Sequence, residues 1–134
     1  MITLEDYISA SGKYPERLTH SELTQDVKDN AIRLLDLVNS FLSELNISKI
    51  TVTSGWRPSS VNASIKGAAK KSSHMTGMAI DLADSDGNLD DLIDKNDDLL
   101  KKYGLWQESP SATKGWCHLD CKDRGKRKKN QFIP

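Results

Sequence analysis

The chain has 134 residues, enough for one domain to bury a core without disulfide staples. Its 19 lysines and arginines balance 19 aspartates and glutamates, so no global field selects nucleic acid or an acidic membrane. Apolar residues make up 37% and fall in short runs, none approaching the roughly 20 that a membrane span needs.

In chain order, "MITLEDYISASGKYPERL" has neither the basic start nor the apolar run of a secretory signal. The expectation is a chain made in the cytoplasm that needs another route to any site of action outside it. Residues 24–46 space Val27, Ala31, Leu34, Leu35, Val38, Leu42 and Leu45 at three- and four-residue steps, which predicts an amphipathic helix. Thr24 or Ser21 can cap it and Asn46 can stop it. "SKITVTSG" predicts a strand, residues 55–73 a loop with a short helix near Ser59–Ile65, and "MTGMAIDLA" a second strand. "NLDDLIDKNDDLLKKYG" predicts one further amphipathic helix closed by Gly104, and "LWQES" and "GWCHLDC" supply more strand material. Helices and strands alternate without a strict βαβ repeat, which predicts an α+β domain spanning 1–134 with a basic tail at 122–134.

Strand parity singles out a polar face. In "MAIDLA", Met78, Ile80 and Leu82 share one side, and Ala79, Asp81 and Ala83 the other. In "GWCHLDC", Cys117, Leu119 and Cys121 share one side, and Trp116, His118 and Asp120 the other. Four strand residues separate the two cysteines by roughly 13 Å, too far for a disulfide, so both are expected as buried free thiols. Taken singly, a strand histidine is an ordinary structural residue and Asp81 an ordinary turn cap. Together, His74, Asp81 and His118 form a His/Asp/His set whose chemistry suits Zn²⁺ and leaves a fourth position for water. His20, in "RLTHSEL", is expected to be a solvated loop residue.

"SSHMTGMAID" resembles the S-x-H-x-x-G-x-A-x-D signature of the zinc D-Ala-D-Ala carboxypeptidase family, peptidoglycan-cleaving metallopeptidases that share a fold with the hedgehog signalling domain. "VTSGWRP" is similar to the family's S-G-[YW]-R segment, "VNASIKGAAKKSSH" to the run that follows, and "GWCHLD" to its W-x-H segment, in order over residues 50–120. The resemblance implies a small antiparallel sheet with helices packed on it, and Zn²⁺ held by His74, Asp81 and His118. It implies that Gly77 allows the tight turn between the first two ligands, that Ala79 keeps space beside the metal, and that Ser72 braces the site through its hydroxyl. Trp116 would lie beside the metal or the substrate. Arg57 would bind the substrate carboxylate or the developing oxyanion.

The catalytic base departs from the common pattern. Many relatives carry an acid three positions before the last histidine ligand, where this chain has Gly115. Glu108, at the end of the preceding strand, is the favoured alternative, and Asp120 is the rival, able instead to orient an imidazole. With both ligand histidines required neutral, activity is expected to disappear below about pH 6.

The implied substrate is a peptidoglycan stem peptide, cut by a monomer acting on the cell wall after release, as a phage or prophage lysis enzyme or part of a phage particle. The tail carries Lys122, Arg124, Lys126, Arg127, Lys128 and Lys129 against Asp123, and reads as a solvated end. Loose attachment of that tail to an anionic cell-wall polymer or phospholipid stays open, whereas the absence of interleaved aromatics speaks against nucleic acid. Two other readings stay open: a hedgehog-like zinc module of a phage particle without catalysis, and a structural zinc site closed by Cys117 or Asp120.

Overall fold

The computed structural model describes residues 1–134. In chain order it contains α1 (Leu4–Ser9), a 3-10 turn (Pro15–Thr19), α2 (Gln25–Glu44), β1 (Val52–Ser54), α3 (Ser59–Ser64) and β2 (Ala79–Asp84). Then follow α4 (Asn88–Asp94), α5 (Asp97–Tyr103), β3 (Trp106–Glu108), β4 (Gly115–Asp120) and β5 (Gln131–Phe132). The five strands form one sheet in the order β1-β2-β4-β3-β5. All pairings are antiparallel except β3 with β5, which is parallel. The architecture is the expected α+β arrangement of a small, mostly antiparallel sheet with helices packed on it.

The longest helix follows its apolar spacing. Thr24 caps α2 by accepting the Val27 N–H at 3.3 Å, and Ala31, Leu34, Leu35, Val38, Phe41 and Leu42 are buried along one side. They join Ile80 and Leu82 of β2 and Cys117 and Leu119 of β4 in one hydrophobic cluster. The two cysteines are buried free thiols, and the core face of both strands is the one that alternation predicts.

Three features differ from the sequence expectation. First, α1 carries its own signal: the Thr3 hydroxyl accepts the Asp6 N–H at 3.0 Å, with Glu5 and Asp6 in the first turn. Second, the single helix expected over 88–104 is two, broken at Lys95–Asn96. After Ile93 the next inward positions fall on Asn96 and Asp97, so no apolar side chain holds a continuous helix to the core. Asn96 Nδ2 donates instead to the Leu92 carbonyl at 2.7 Å, and a fresh helix starts after it. Third, residues 122–134 fold back on the domain. Phe132 extends the sheet, Asn130 is buried, and Lys129 pairs with Asp94, while Lys126, Arg127 and Lys128 stay exposed.

The turn between Ser72 and Ala79 is locked against α2. Gly77 has φ +80, and a Cβ there would stand 2.6 Å from the Val27 carbonyl oxygen. Gly67, with φ +82, has open space around it. Gly77→Ala is therefore expected to lose about 2–4 kcal/mol, combining left-handed strain with a backbone clash, and Gly67→Ala only about 1 kcal/mol. Urea denaturation midpoints of the two variants check the difference.

Candidate metal centre and active-site cleft

Antiparallel pairing of β2 with β4 sets Asp81 directly opposite His118. Opposed residues on one face approach closely, so sheet register alone brings this carboxylate and imidazole together. On the other side of β4, Trp106 pairs with Asp120 and Gln107 with Leu119, and the same register carried one residue further sets Glu108 against His118. Ser54 of β1 pairs with Asp81, and Phe132 of β5 with Glu108. One row of side chains thus crosses the sheet: Ser54, Asp81, His118, Glu108 and Phe132.

His74 reaches the row from the loop before β2, which is stitched to the loop after β1. The Trp56 indole donates to the Met75 carbonyl at 3.0 Å, the Arg57 N–H to the His74 carbonyl at 3.2 Å, and His74 Nδ1 lies 2.8 Å from the Gly55 carbonyl. Trp56 is buried and anchors this pair of loops in the core. Gly55 is needed for close approach, because a Cβ there would meet the Tyr7 carbonyl oxygen at 1.8 Å. Tyr7 also donates its hydroxyl to the Ala79 carbonyl at 2.8 Å, pinning the start of β2. Ser72 accepts the His74 N–H at 3.2 Å and so shapes the loop backbone.

The three side chains converge. His118 Nδ1 is 2.8 Å and His74 Nε2 is 3.3 Å from the same oxygen of Asp81, and one ligand atom from each residue lies within 4.8 Å of the others. A tetrahedral site with bonds of 2.0–2.1 Å has edges of about 3.3 Å, so small shifts would admit a divalent ion. The far nitrogen of each ring is already engaged, His74 with the Gly55 carbonyl and His118 Nε2 with Asp120 at 2.9 Å. Each imidazole therefore offers one nitrogen to the centre, in the orientation that metal-bound histidines adopt. Cys117 faces the core from the opposite side of β4, so a thiolate does not close this site.

Electrostatics keep Asp81 ionised although it is almost fully buried. Burial raises its pKa, but the charge of His74 and hydrogen bonds from His118 and His74 outweigh that and hold the carboxyl well below the usual range. For His118, burial opposes the charged form, yet hydrogen bonds to Asp120 and Asp81 prevail and raise its pKa to about 9. Without a metal the cluster thus keeps a proton where a cation would bind. Arg57 extends one guanidinium nitrogen to 3.3 Å from the outer oxygen of Asp81 and donates through Nε to the Ser54 hydroxyl at 3.0 Å. Its Nη1 lies 3.4 Å from Asn62 Oδ1, and Asn62 Nδ2 in turn donates to the Ala69 carbonyl at 2.9 Å.

Glu108 and Asp120 flank His118 in different surroundings. Asp120 is 1% exposed and receives His118 Nε2, two nitrogens of Arg124 and the Lys122 N–H, which occupies both of its oxygens. Burial raises its pKa, but those hydrogen bonds dominate and lower it. The half-buried carboxylate of Glu108 makes no hydrogen bond to the protein. Burial raises its pKa, the charge of His118 opposes, and the negative charges of Asp81 and Asp120 add to the rise.

These residues line a cleft of about 580 Å³ with Trp116 and Phe132 among its walls and Lys66, Lys71 and Lys122 at its rim. Arg57, Ser72, His74, Asp81, Glu108, Trp116, His118 and Asp120 all contribute to it. His20 lies apart from it, half-buried with its ring 5.6 Å edge-on from Trp56 and its Nδ1 accepting the Glu22 N–H. Arg124 and Phe132 also belong to the cleft. The sequence places both in a basic tail, and only the return of the chain reveals them.

A family model described as Peptidase M15 matches residues 14–120, a span that contains the His/Asp/His cluster, Arg57, Glu108 and Asp120. No curated protein and no solved structure gives a significant match. With most of its length matched and a His/Asp/His cluster able to hold a metal gathered in one cleft, the chain belongs to the peptidase M15 family of metallopeptidases, the zinc D-Ala-D-Ala carboxypeptidase-like family that its motifs resemble.

Proposed function

We propose that the protein is a zinc peptidase that hydrolyses a peptide bond in bacterial peptidoglycan stem peptides, of the D-Ala-D-Ala carboxypeptidase or L-Ala-D-Glu endopeptidase type. The observation that carries this reading is the convergence of His74, Asp81 and His118 within 4.8 Å, in a cleft that also holds Glu108 and Arg57. Two imidazoles and one carboxylate are the donor set of a catalytic rather than a closed structural zinc site. When bound, Zn²⁺ supplies a Lewis acid that makes water nucleophilic near neutral pH and polarises the scissile carbonyl.

The chain's own groups supply the rest. Glu108 is the general base and later the acid. Its carboxylate is unengaged, lies in the same row as His118, and has a pKa raised by burial, which makes it a stronger base than a free carboxylate. Arg57 presents a fixed guanidinium at the edge of the site, oriented by Ser54 and Asn62, suited to a substrate carboxylate or a developing oxyanion. Asp120 has no free oxygen for proton transfer and orients the His118 ring. Trp116 and Phe132 wall the cleft and limit water around the reacting bond.

Incubation with purified peptidoglycan, followed by mass spectrometry of the soluble fragments, tests the reading. Fragments should appear with the zinc-loaded protein, stop with a chelator and return with zinc; no fragments from folded, zinc-loaded protein would refute it. Glu108→Gln should lower turnover by about 10²–10⁴-fold while zinc affinity is retained. Metal competes with the proton that His118 holds up to about pH 9, so binding at pH 7 should release about one proton. Affinity should then fall about tenfold per unit as pH drops below that value. Calorimetric titrations in buffers of different ionisation enthalpy measure the release directly.

A further inference from the structure

We propose that Arg124 is a positioning residue for the metal centre, acting through Asp120 to hold the His118 ring with Nδ1 aimed at Asp81. The inference rests on the metal reading above and adds to it a residue outside the matched span of 14–120.

The contacts form a closed circuit. His118 Nε2 lies 2.9 Å from Asp120 Oδ2, and Arg124 Nη2 donates to that same oxygen at 3.0 Å. Arg124 Nη1 donates to Asp120 Oδ1, so the guanidinium grips both oxygens of the carboxylate. The guanidinium carbon stands 3.6 Å from the centre of the Phe132 ring, and that ring meets the His118 ring edge-on at 5.8 Å. Phe132 is itself fixed on β5: its carbonyl accepts the Ser109 N–H at 2.7 Å, and the carbonyl of Asn130, just before the strand, accepts the Gln107 N–H at 2.9 Å. The histidine, the carboxylate, the arginine and the aromatic ring each brace the next.

Such a circuit has a specific consequence for the imidazole. A carboxylate that accepts from Nε2–H selects the tautomer in which Nδ1 is the free ligand, and removing that kind of support typically lowers metal affinity 10–100-fold. Asp120 can do this only while its own orientation is fixed. It sits at the end of β4, where apart from Arg124 only the Lys122 N–H, at 3.2 Å from Oδ1, holds it from the side away from the ring. The fork of Arg124 fixes that orientation. Lysine, a point charge without the planar fork, would preserve the charge but not the paired contact.

The test is zinc affinity, measured by competition with a chromophoric chelator at fixed pH on the full chain, with circular dichroism as the check on folding. Arg124→Ala should weaken zinc binding 10–100-fold, and Arg124→Lys should recover part of that loss. In an Asp120→Asn background, Arg124→Ala should change affinity by less than threefold, because the path through Asp120 is already cut. If Arg124→Ala does not fold, Arg124→Lys alone should still weaken binding several-fold. Affinity within threefold of the unmodified chain in a folded Arg124→Ala protein, or losses that simply multiply across the double variant, would overturn the proposal. An unmodified chain that binds no zinc would overturn it together with the reading on which it rests.

Discussion

A carboxylate buried among two imidazoles and a guanidinium is the constraint around which this molecule is arranged. Asp81 is 6% exposed, and an ionised carboxylate at that depth costs several kcal/mol unless it is paired and hydrogen-bonded. Every neighbour of Asp81 answers that demand. His118 and His74 approach one of its oxygens and Arg57 the other. Two histidines that each keep one nitrogen turned inward are the remaining ingredients of a metal site.

Precision in the site comes from two different sources. Asp81, His118 and Glu108 are set by strand pairing, where a slip of one residue would turn each to the wrong face. His74 and Arg57 come from loops, and loops hold position only if something ties them. Here the ties run between the loops themselves, through Trp56, the Gly55 carbonyl and the backbone of residues 57 and 74. Burial of Trp56 in the core then ties the loop pair to the hydrophobic cluster. Gly55 and Gly77 are the two places where a side chain would separate these loops from α1 and α2, so the packing of the helices and the geometry of the cluster depend on the same residues.

Much of this was legible in the sequence, and the parts that were not have physical reasons. Alternation along "MAIDLA" and "GWCHLDC" separates the site face from the core face because a strand has a period of two and both segments cross the sheet centre. The break at Asn96 was hidden because apolar residues on both sides of it keep helical spacing, and only the polar pair at 96 and 97 interrupts the stripe. Arg124 and Phe132 were hidden for a different reason. Composition reports that residues 122–129 are basic, but not that the chain turns back to pair β5 with β3, a contact set by tertiary packing. Asp120 was ambiguous because two residues along a strand span roughly 6–7 Å between backbones, whereas its side chain and that of His118 lean together to 2.9 Å.

The opposite surroundings of Glu108 and Asp120 resolve into a division of labour. Both carboxylates flank His118, and burial raises the pKa of each. Four donors then reverse the outcome at Asp120 and lower its pKa, while Glu108, with no donor, keeps a raised one. A carboxylate whose lone pairs are filled is a support and cannot take a proton from water. One with free lone pairs and a raised pKa can accept a proton and return it. The same strand register that aligns Glu108 with Asp81 and His118 leaves it unpaired, and the returning chain that supplies Arg124 saturates Asp120. In this way a chain with glycine at position 115 still presents an unpaired carboxylate beside His118, from the neighbouring strand.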